Sequence, residues 1–251
     1  MKVVILGSAG AVGDERHANT HMVLVAQERM ILIDCPGEPL LRLKAARLDY
    51  HHLTDMILTH FHPDHVSGVP HFLMNLWLLG RKNSLPIYGL AHTIERTKKL
   101  VDLFELLNLP GFFPVDFIQL PEKEMYPVLE SEDVRIYSSP VRHIIPGLGL
   151  RVEARLSGKS LAYSSDTEPC PEVVRLGYQS DVLIHEATGA GFGHSSAGQA
   201  GEIAHQARVK RLVLIHYPVI DQTDLRQKVN QAMEHFSGEV DLAEDLMQIE
   251  L

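Results

Sequence analysis

The chain has little cysteine: Cys35 and Cys170 are the only two in 251 residues. Two thiols cannot build a disulfide framework, and their separation lacks the close pairing of a thiolate metal site, so both are expected to be reduced. No apolar run is long enough to span a bilayer, and no membrane partner is expected. The apolar opening stops at Gly7, too short for the centre of a secretory signal, which makes a cytoplasmic location the default. Positive charge is also scarce, since 23 Lys and Arg against 32 Asp and Glu leave a formal net charge of −9. Sequence-independent nucleic-acid binding rests on cations neutralising phosphates, and this balance argues against it. Linkers, low-complexity tracts and charge blocks are absent. What remains is an ordinary globular composition, 45% hydrophobic and 22% charged, at a length that suits one large domain over residues 1–251.

Histidine is the residue the chain carries in excess, with 15 copies. Three of them fall in Thr59-His60-Phe61-His62-Pro63-Asp64-His65. Alternate side chains of an extended segment point the same way, so His60 and His62 can share one metal ion. Pro63 turns the chain, after which Asp64 and His65 can face a second ion. Such N/O ligation suits Zn²⁺ and is compatible with Mn²⁺ or Fe. Chance alone would produce this arrangement in only about a few chains per thousand.

Periodicity and turn residues predict strands at Val3–Leu6 and Met56–Thr59, and a hairpin of Met22–Ala26 with Met30–Asp34. Further strands are expected at Leu85–Tyr88, Phe113–Leu120, Val128–Leu129, Val134–Ser138, Asp181–His185, Arg211–Ile215 and Leu246–Leu251. Leu150–Leu156 and Leu161–Tyr163 form a second expected hairpin. Helical spacing marks Leu40–Leu48, Gly68–Leu79, Thr93–Leu107, Pro171–Tyr178 and Asp221–Phe236, and Ser195 is positioned to cap a helix running to Ala207. Two strand-rich halves with outer helices imply an α/β protein of four layers, αββα.

Polar residues recur at the ends of these strands: His143, Asp166, His216 and the pair His185-Glu186. A lone His after a strand is more often a satisfied structural residue than a ligand, but a repeated pattern reverses that expectation. Two ions need more donors than the first motif supplies, and a bridging carboxylate is the usual way to set their separation. Asp34 is placed to orient a ligating His from behind. Cys35 reads as small core filler. His17 and His21 sit near the first loop and suit a substrate entrance, whereas His51, His52, His71, His92, His205 and His235 read as solvated.

With these residues in view, the chain resembles the metallo-β-lactamase superfamily, and within it the ribonuclease Z-like branch. His60, His62, Asp64 and His65 match the superfamily signature. Pro140-Val141-Arg142-His143, Ser165-Asp166-Thr167 and Leu214-Ile215-His216 match its later metal motifs. The branch resemblance rests chiefly on His185-Glu186-Ala187-Thr188 and Gly193-His194-Ser195-Ser196-Ala197. By this resemblance His60, His62, His143 and Asp166 hold one ion, and Asp64, His65, Asp166 and His216 the other. It also implies a homodimer.

The resemblance implies a dinuclear-metal hydrolase, most simply a phosphodiesterase acting on a small phosphodiester or an RNA 3′ end through a metal-bridging hydroxide. Asp64 would orient the nucleophile, His194 act as general acid, and Glu186 hold His194 in the needed tautomer or merely contact a neighbouring loop. The alternative on the same scaffold is hydrolysis of a thioester or another small ester. One departure bears on the substrate. Bacterial ribonuclease Z carries a tRNA-gripping arm between the third-motif histidine and the bridging aspartate, and the 23 residues from His143 to Asp166 leave no room for it.

Overall fold

Along Lys2–Gly7 the side chains of Val3 and Ile5 alternate with those of Val4 and Leu6, and all four are buried. A strand apolar on both faces needs cover on both. Val3 and Ile5 pack between two sheets, while Val4 and Leu6 pack beneath helices. That pattern repeats through the chain and sets the architecture.

The computed structural model describes residues 1–220 and 225–251. Strands β1 (Lys2–Gly7), β2 (His21–Val25) and β3 (Met30–Ile33) lead to helix α1 (Pro39–Ala45), then β4 (Asp55–Ile57), α2 (Pro63–Val66) and α3 (Val69–Leu78). Next come β5 (Leu85–Leu90), α4 (Ala91–Asp102), β6 (Val115–Leu120), β7 (Tyr126–Glu130), β8 (Val134–Val141), β9 (Gly147–Ala154) and β10 (Ser160–Tyr163). The last part holds α5 (Pro171–Gly177), β11 (Val182–Glu186), α6 (Ala197–Ala207), β12 (Arg211–Ile215), α7 (Leu225–Met233), β13 (Glu239–Leu242) and β14 (Gln248–Glu250). One sheet has the order β14-β1-β2-β3-β4-β5-β6 and the other β13-β12-β11-β10-β9-β8-β7.

Ile31, Ile33, Ile184, Val213 and their neighbours fill the space between the sheets. Leu43, Phe72, Leu73 and Ile94 join the first sheet to α1, α3 and α4. Val173, Ala200, Ala204 and Ala232 join the second sheet to α5, α6 and α7. The result is the expected αββα sandwich. Each buried Leu, Ile, Val or Phe contributes about 1.5–3 kcal/mol.

Several expectations shift in detail. The Thr93–Leu107 helix ends at Asp102, because Glu105 enters the left-handed region (φ 52°) and swings Leu106 into the core through a short 3₁₀ turn. Pro63 does more than turn the chain: it starts α2 at a position where its missing N–H costs nothing. Ser196, not Ser195, caps α6. Its hydroxyl accepts from Gln199 N–H, and the Gln199 side chain accepts from Ser196 N–H. The expected helix Asp221–Phe236 begins outside the described residues. Strand β13 has no counterpart among the expected elements; it pairs parallel with β12 and is only half-buried.

In the first sheet β3, β4, β5 and β6 run parallel, as do β10, β11, β12 and β13 in the second. Parallel strands bring their C-terminal ends to one edge, where α/β proteins place their sites. Asp34, Thr59 and His60 follow β3 and β4, Asp166 follows β10, Glu186 ends β11, and His216 follows β12.

Candidate metal centre

His60 Nε2 lies 3.1 Å from His62 Nδ1, and His143 Nε2 lies 3.0 Å from that same His62 nitrogen. A second group forms beside it. His65 Nε2 is 3.3 Å from His216 Nε2, and Asp64 Oδ2 is 3.3 Å from His216 and 3.6 Å from His65. Asp166 Oδ2 lies between the groups, 3.7 Å from His60, 3.5 Å from His65 and 3.4 Å from His216. All seven residues proposed as ligands from the sequence therefore converge.

The hydrogen bonds behind the rings decide which nitrogens are free. Thr188 Oγ1 donates to the His216 carbonyl oxygen, so the His216 Nδ1–H must donate to that hydroxyl, at 2.8 Å. Thr59 Oγ1 donates to Asp34 Oδ2 and accepts from His60 Nδ1 in the same way. His65 Nδ1 donates to Asp34 Oδ2 at 2.8 Å, and His143 Nδ1 to the Gly193 carbonyl at 2.7 Å. Each of these four rings thus carries its proton on Nδ1 and turns the Nε2 lone pair into the centre. Lone pairs facing one another repel unless a cation lies among them. Asp166 Oδ1, buried and without a hydrogen-bond partner, is a further donor atom in want of a cation. The donor set therefore fits divalent metal binding.

Protonation runs the same way. Burial holds His60 well below the ordinary imidazole value, and neighbouring His65 adds to the effect. Burial and His143 lower His62 as well. For Asp166 burial acts upward, but His216 and His65 outweigh it and hold the carboxyl well below the usual carboxylate range. His65 is the exception: burial opposes its charge, yet Asp166 and Asp34 raise it, so positive charge is favoured there as a proton or as a metal.

Backbone strain marks the same places. Asp34 (φ 62°), Ser165 (φ 55°) and His216 (φ 54°) occupy the left-handed region. Such strain persists where surrounding structure over-determines the chain and tends to gather at functional sites. No sequence pattern announced it.

His194 stands at the rim, 20% exposed, its Nδ1 3.0 Å from Glu186 Oε1 and 4.0 Å from Asp166 Oδ2. Burial disfavours the imidazolium, but the hydrogen bond and charge of Glu186 outweigh it and raise the pKa above the ordinary value. Fully buried Glu186 contacts both His194 and the neighbouring loops. Its Oε1 accepts from His194, from Thr167 N–H and from Ser195 N–H, and its Oε2 accepts from Thr188 N–H. It therefore ties the loop after β10 to both ends of the loop between β11 and α6 while contacting the His194 ring.

His185 does not join the centre. It shares strand parity with Leu183, which packs under the helices, and faces away from Glu186. Cys35 is core filler, with burial pushing its thiol well up. Thr59 and Thr188 went unassigned from the sequence; threonines beside the ligating motifs were the available signal. His21 is buried, with Nδ1 2.8 Å from the Asn19 carbonyl, and lines a cavity with His17 and Arg42.

Residues 29–217 match the family model described as beta-lactamase superfamily domain. Ribonuclease Z of Methanothermobacter thermautotrophicus is 26% identical, with all of this chain and 97% of the relative aligned over 306 positions. An alignment longer than the 251 residues here means that the relative carries insertions. Ribonuclease Z of Porphyromonas gingivalis is 28% identical over 86% of this chain and 88% of its own. The metallo-beta-lactamase fold protein YhfI from Bacillus subtilis superposes with a TM-score of 0.82 at 23% identity, covering 100% of this chain and 98% of that one. The short form of human tRNase Z superposes with a TM-score of 0.78 at 24% identity, covering 100% and 99%.

Proposed function

As the chain belongs to the beta-lactamase superfamily, we propose that it is a metal-dependent phosphodiesterase resembling ribonuclease Z, acting as one unit over residues 1–251. His60, His62, His143 and Asp166 hold one divalent ion, and Asp64, His65, Asp166 and His216 the other, with Zn²⁺ the best suited to so many imidazoles and Mn²⁺ or Fe the alternatives. Such ions supply Lewis acidity, activating water near neutral pH and offsetting charge on phosphoryl oxygens. Asp64, a carboxylate at the rim of this group, accepts a hydrogen bond from the attacking water and orients it. The same protein is expected to work as a homodimer, which light scattering of the purified chain would establish.

The observation that carries the reading is the His194–Glu186 pair beside a complete ligand set. An alkoxide leaving group is strongly basic and departs with difficulty unless it receives a proton. The free Nε2 of His194 is the donor, and Glu186 fixes the tautomer and stabilises the imidazolium before transfer. A thiolate, with a conjugate acid near pKa 8.5, leaves without such help, so the thioester alternative gives this pair no task. His194→Ala is therefore expected to cut turnover of an alkyl phosphodiester by roughly 10²–10⁴. A nitrophenyl ester, whose leaving group needs no proton, should lose far less. Equal losses on the two, measured as kcat at fixed metal content, would remove the general-acid role.

A further inference from the structure

Phe192 is 88% exposed, the barest large apolar side chain among the described residues. Single exposed apolar residues are common and need no explanation; its position sets this one apart. Phe192 sits at the tip of a tight turn closed by Gly191 and His194, whose backbones bond in both directions at 3.4 and 3.2 Å. One stem of the turn is His194. The other contact is Gly193, whose carbonyl receives His143 Nδ1 and whose N–H donates to Glu168 Oε1. A Cβ on Gly193 would lie 2.6 Å from His143 Nδ1 and 2.9 Å from Ile144 Cγ1, so the turn is seated directly on the metal-ligand loop. Phe192 itself adopts φ 47°, a strained backbone for an aromatic residue. Ile144, 61% exposed, extends the apolar ledge on the adjoining loop.

We infer that Phe192 is a stacking platform for the nucleobase flanking the scissile phosphate, which makes the substrates of this centre nucleotidic. The inference rests on the phosphodiesterase reading and deepens it. Phe192 shares its four-residue turn with His194, so a nucleoside attached to a phosphate at His194 has only that turn to cross to reach the tip. Charge supports this occupant. With a net charge of −9 and no arm between His143 and Asp166, phosphate contacts alone supply little affinity, and stacking on an aromatic face is the route that needs no cations. Stacking tolerates any base, so this platform selects nucleotides over other phosphodiesters without reading sequence.

The test compares Phe192→Ala, Phe192→Leu and Phe192→Trp with the unaltered metal-loaded protein on two esters sharing a nitrophenolate leaving group. Thymidine 5′-(p-nitrophenyl phosphate) carries a base, and methyl p-nitrophenyl phosphate does not. The Ala and Leu variants are expected to raise KM for the thymidine ester about 5- to 100-fold, with kcat and all methyl ester kinetics unchanged, while Trp retains the original KM. Calorimetric affinity for thymidine 5′-monophosphate should fall in parallel. Full activity with Leu, equal losses on both esters, or a dimer-to-monomer shift in Phe192→Ala would overturn the assignment in favour of an acyl group, a displaced loop or a second copy of the chain. If the unaltered protein hydrolyses neither ester, the phosphodiesterase reading fails as well. If it hydrolyses both and the variants match it, only the role of Phe192 fails.

Discussion

Asp34 accounts for more of the centre than any residue that faces it. Its Oδ2 accepts from both His65 Nδ1 and the Thr59 hydroxyl, and its Oδ1 accepts from Thr59 N–H, so one buried carboxylate sets the tautomer of His65 directly and of His60 through Thr59. Asp34→Asn keeps the shape, but its N–H must face either Thr59 N–H or the two donors at Oδ2, and the negative charge behind His65 and Thr59 is lost. Metal affinity is expected to fall about 10- to 100-fold, with far-ultraviolet circular dichroism unchanged. Competition against a chromophoric chelator measures it, and unaltered affinity would show that Asp34 does not act through His65. At this scale the residues of the cluster were legible because short motifs at strand ends mark them. Thr59, Thr188 and the left-handed backbone at Asp34, Ser165 and His216 were not, since a hydroxyl's partner and a residue's φ depend on chain that arrives from elsewhere.

Among the elements, alternation revealed most strands and helical spacing most helices, because both faces of β1, β3 and β12 are covered and read as apolar runs. What failed was local. Strand β13 is half-buried, so its pattern is weak, and α4 stops where Glu105 redirects the chain to bury Leu106. Strand β2 carries a consequence for acid stability. His21, fully buried there, has its pKa pushed down to about 4, chiefly by burial, with the Asn19 carbonyl opposing and Arg42 assisting. The folded chain keeps this ring neutral while the unfolded chain protonates it below the ordinary imidazole pKa of about 6.5. The stability at stake is therefore fully present above pH ~6.5 and lost as the pH falls toward 4, a loss of about 3 kcal/mol. Urea unfolding at pH 7 and pH 5 should show a smaller acid loss in His21→Asn, whose amide can still donate to the Asn19 carbonyl, than in the unaltered chain. An identical slope in the two would assign the acid sensitivity to other groups.

Taken whole, the molecule is two seven-stranded sheets whose C-terminal edges meet at one cluster. Two strand-rich halves with outer helices were enough to read the four layers. The strand order was not legible, because which strands pair is decided by packing between segments far apart: His65 and His216, 3.3 Å apart, are separated by 151 residues. The same geometry makes metal a structural clamp. His60, His62, Asp64 and His65 come from the first sheet, and His143, Asp166 and His216 from the second, so ions held by both join the two halves of the sandwich. Their removal leaves opposed lone pairs and the unpartnered Asp166 Oδ1 in a buried space. At a hundredfold excess of metal over its dissociation constant, binding stabilises the fold by about 2.7 kcal/mol, which for a chain of this size is roughly 5–10 °C in Tm. Exhaustive chelation should lower Tm by that amount and re-addition of Zn²⁺ or Mn²⁺ restore it. Asp166→Ala, which removes the carboxylate shared by both groups, should melt lower at the outset and respond little to chelator. A Tm indifferent to chelation in the unaltered, metal-analysed protein would mean that the cluster does not bind the two sheets together through metal.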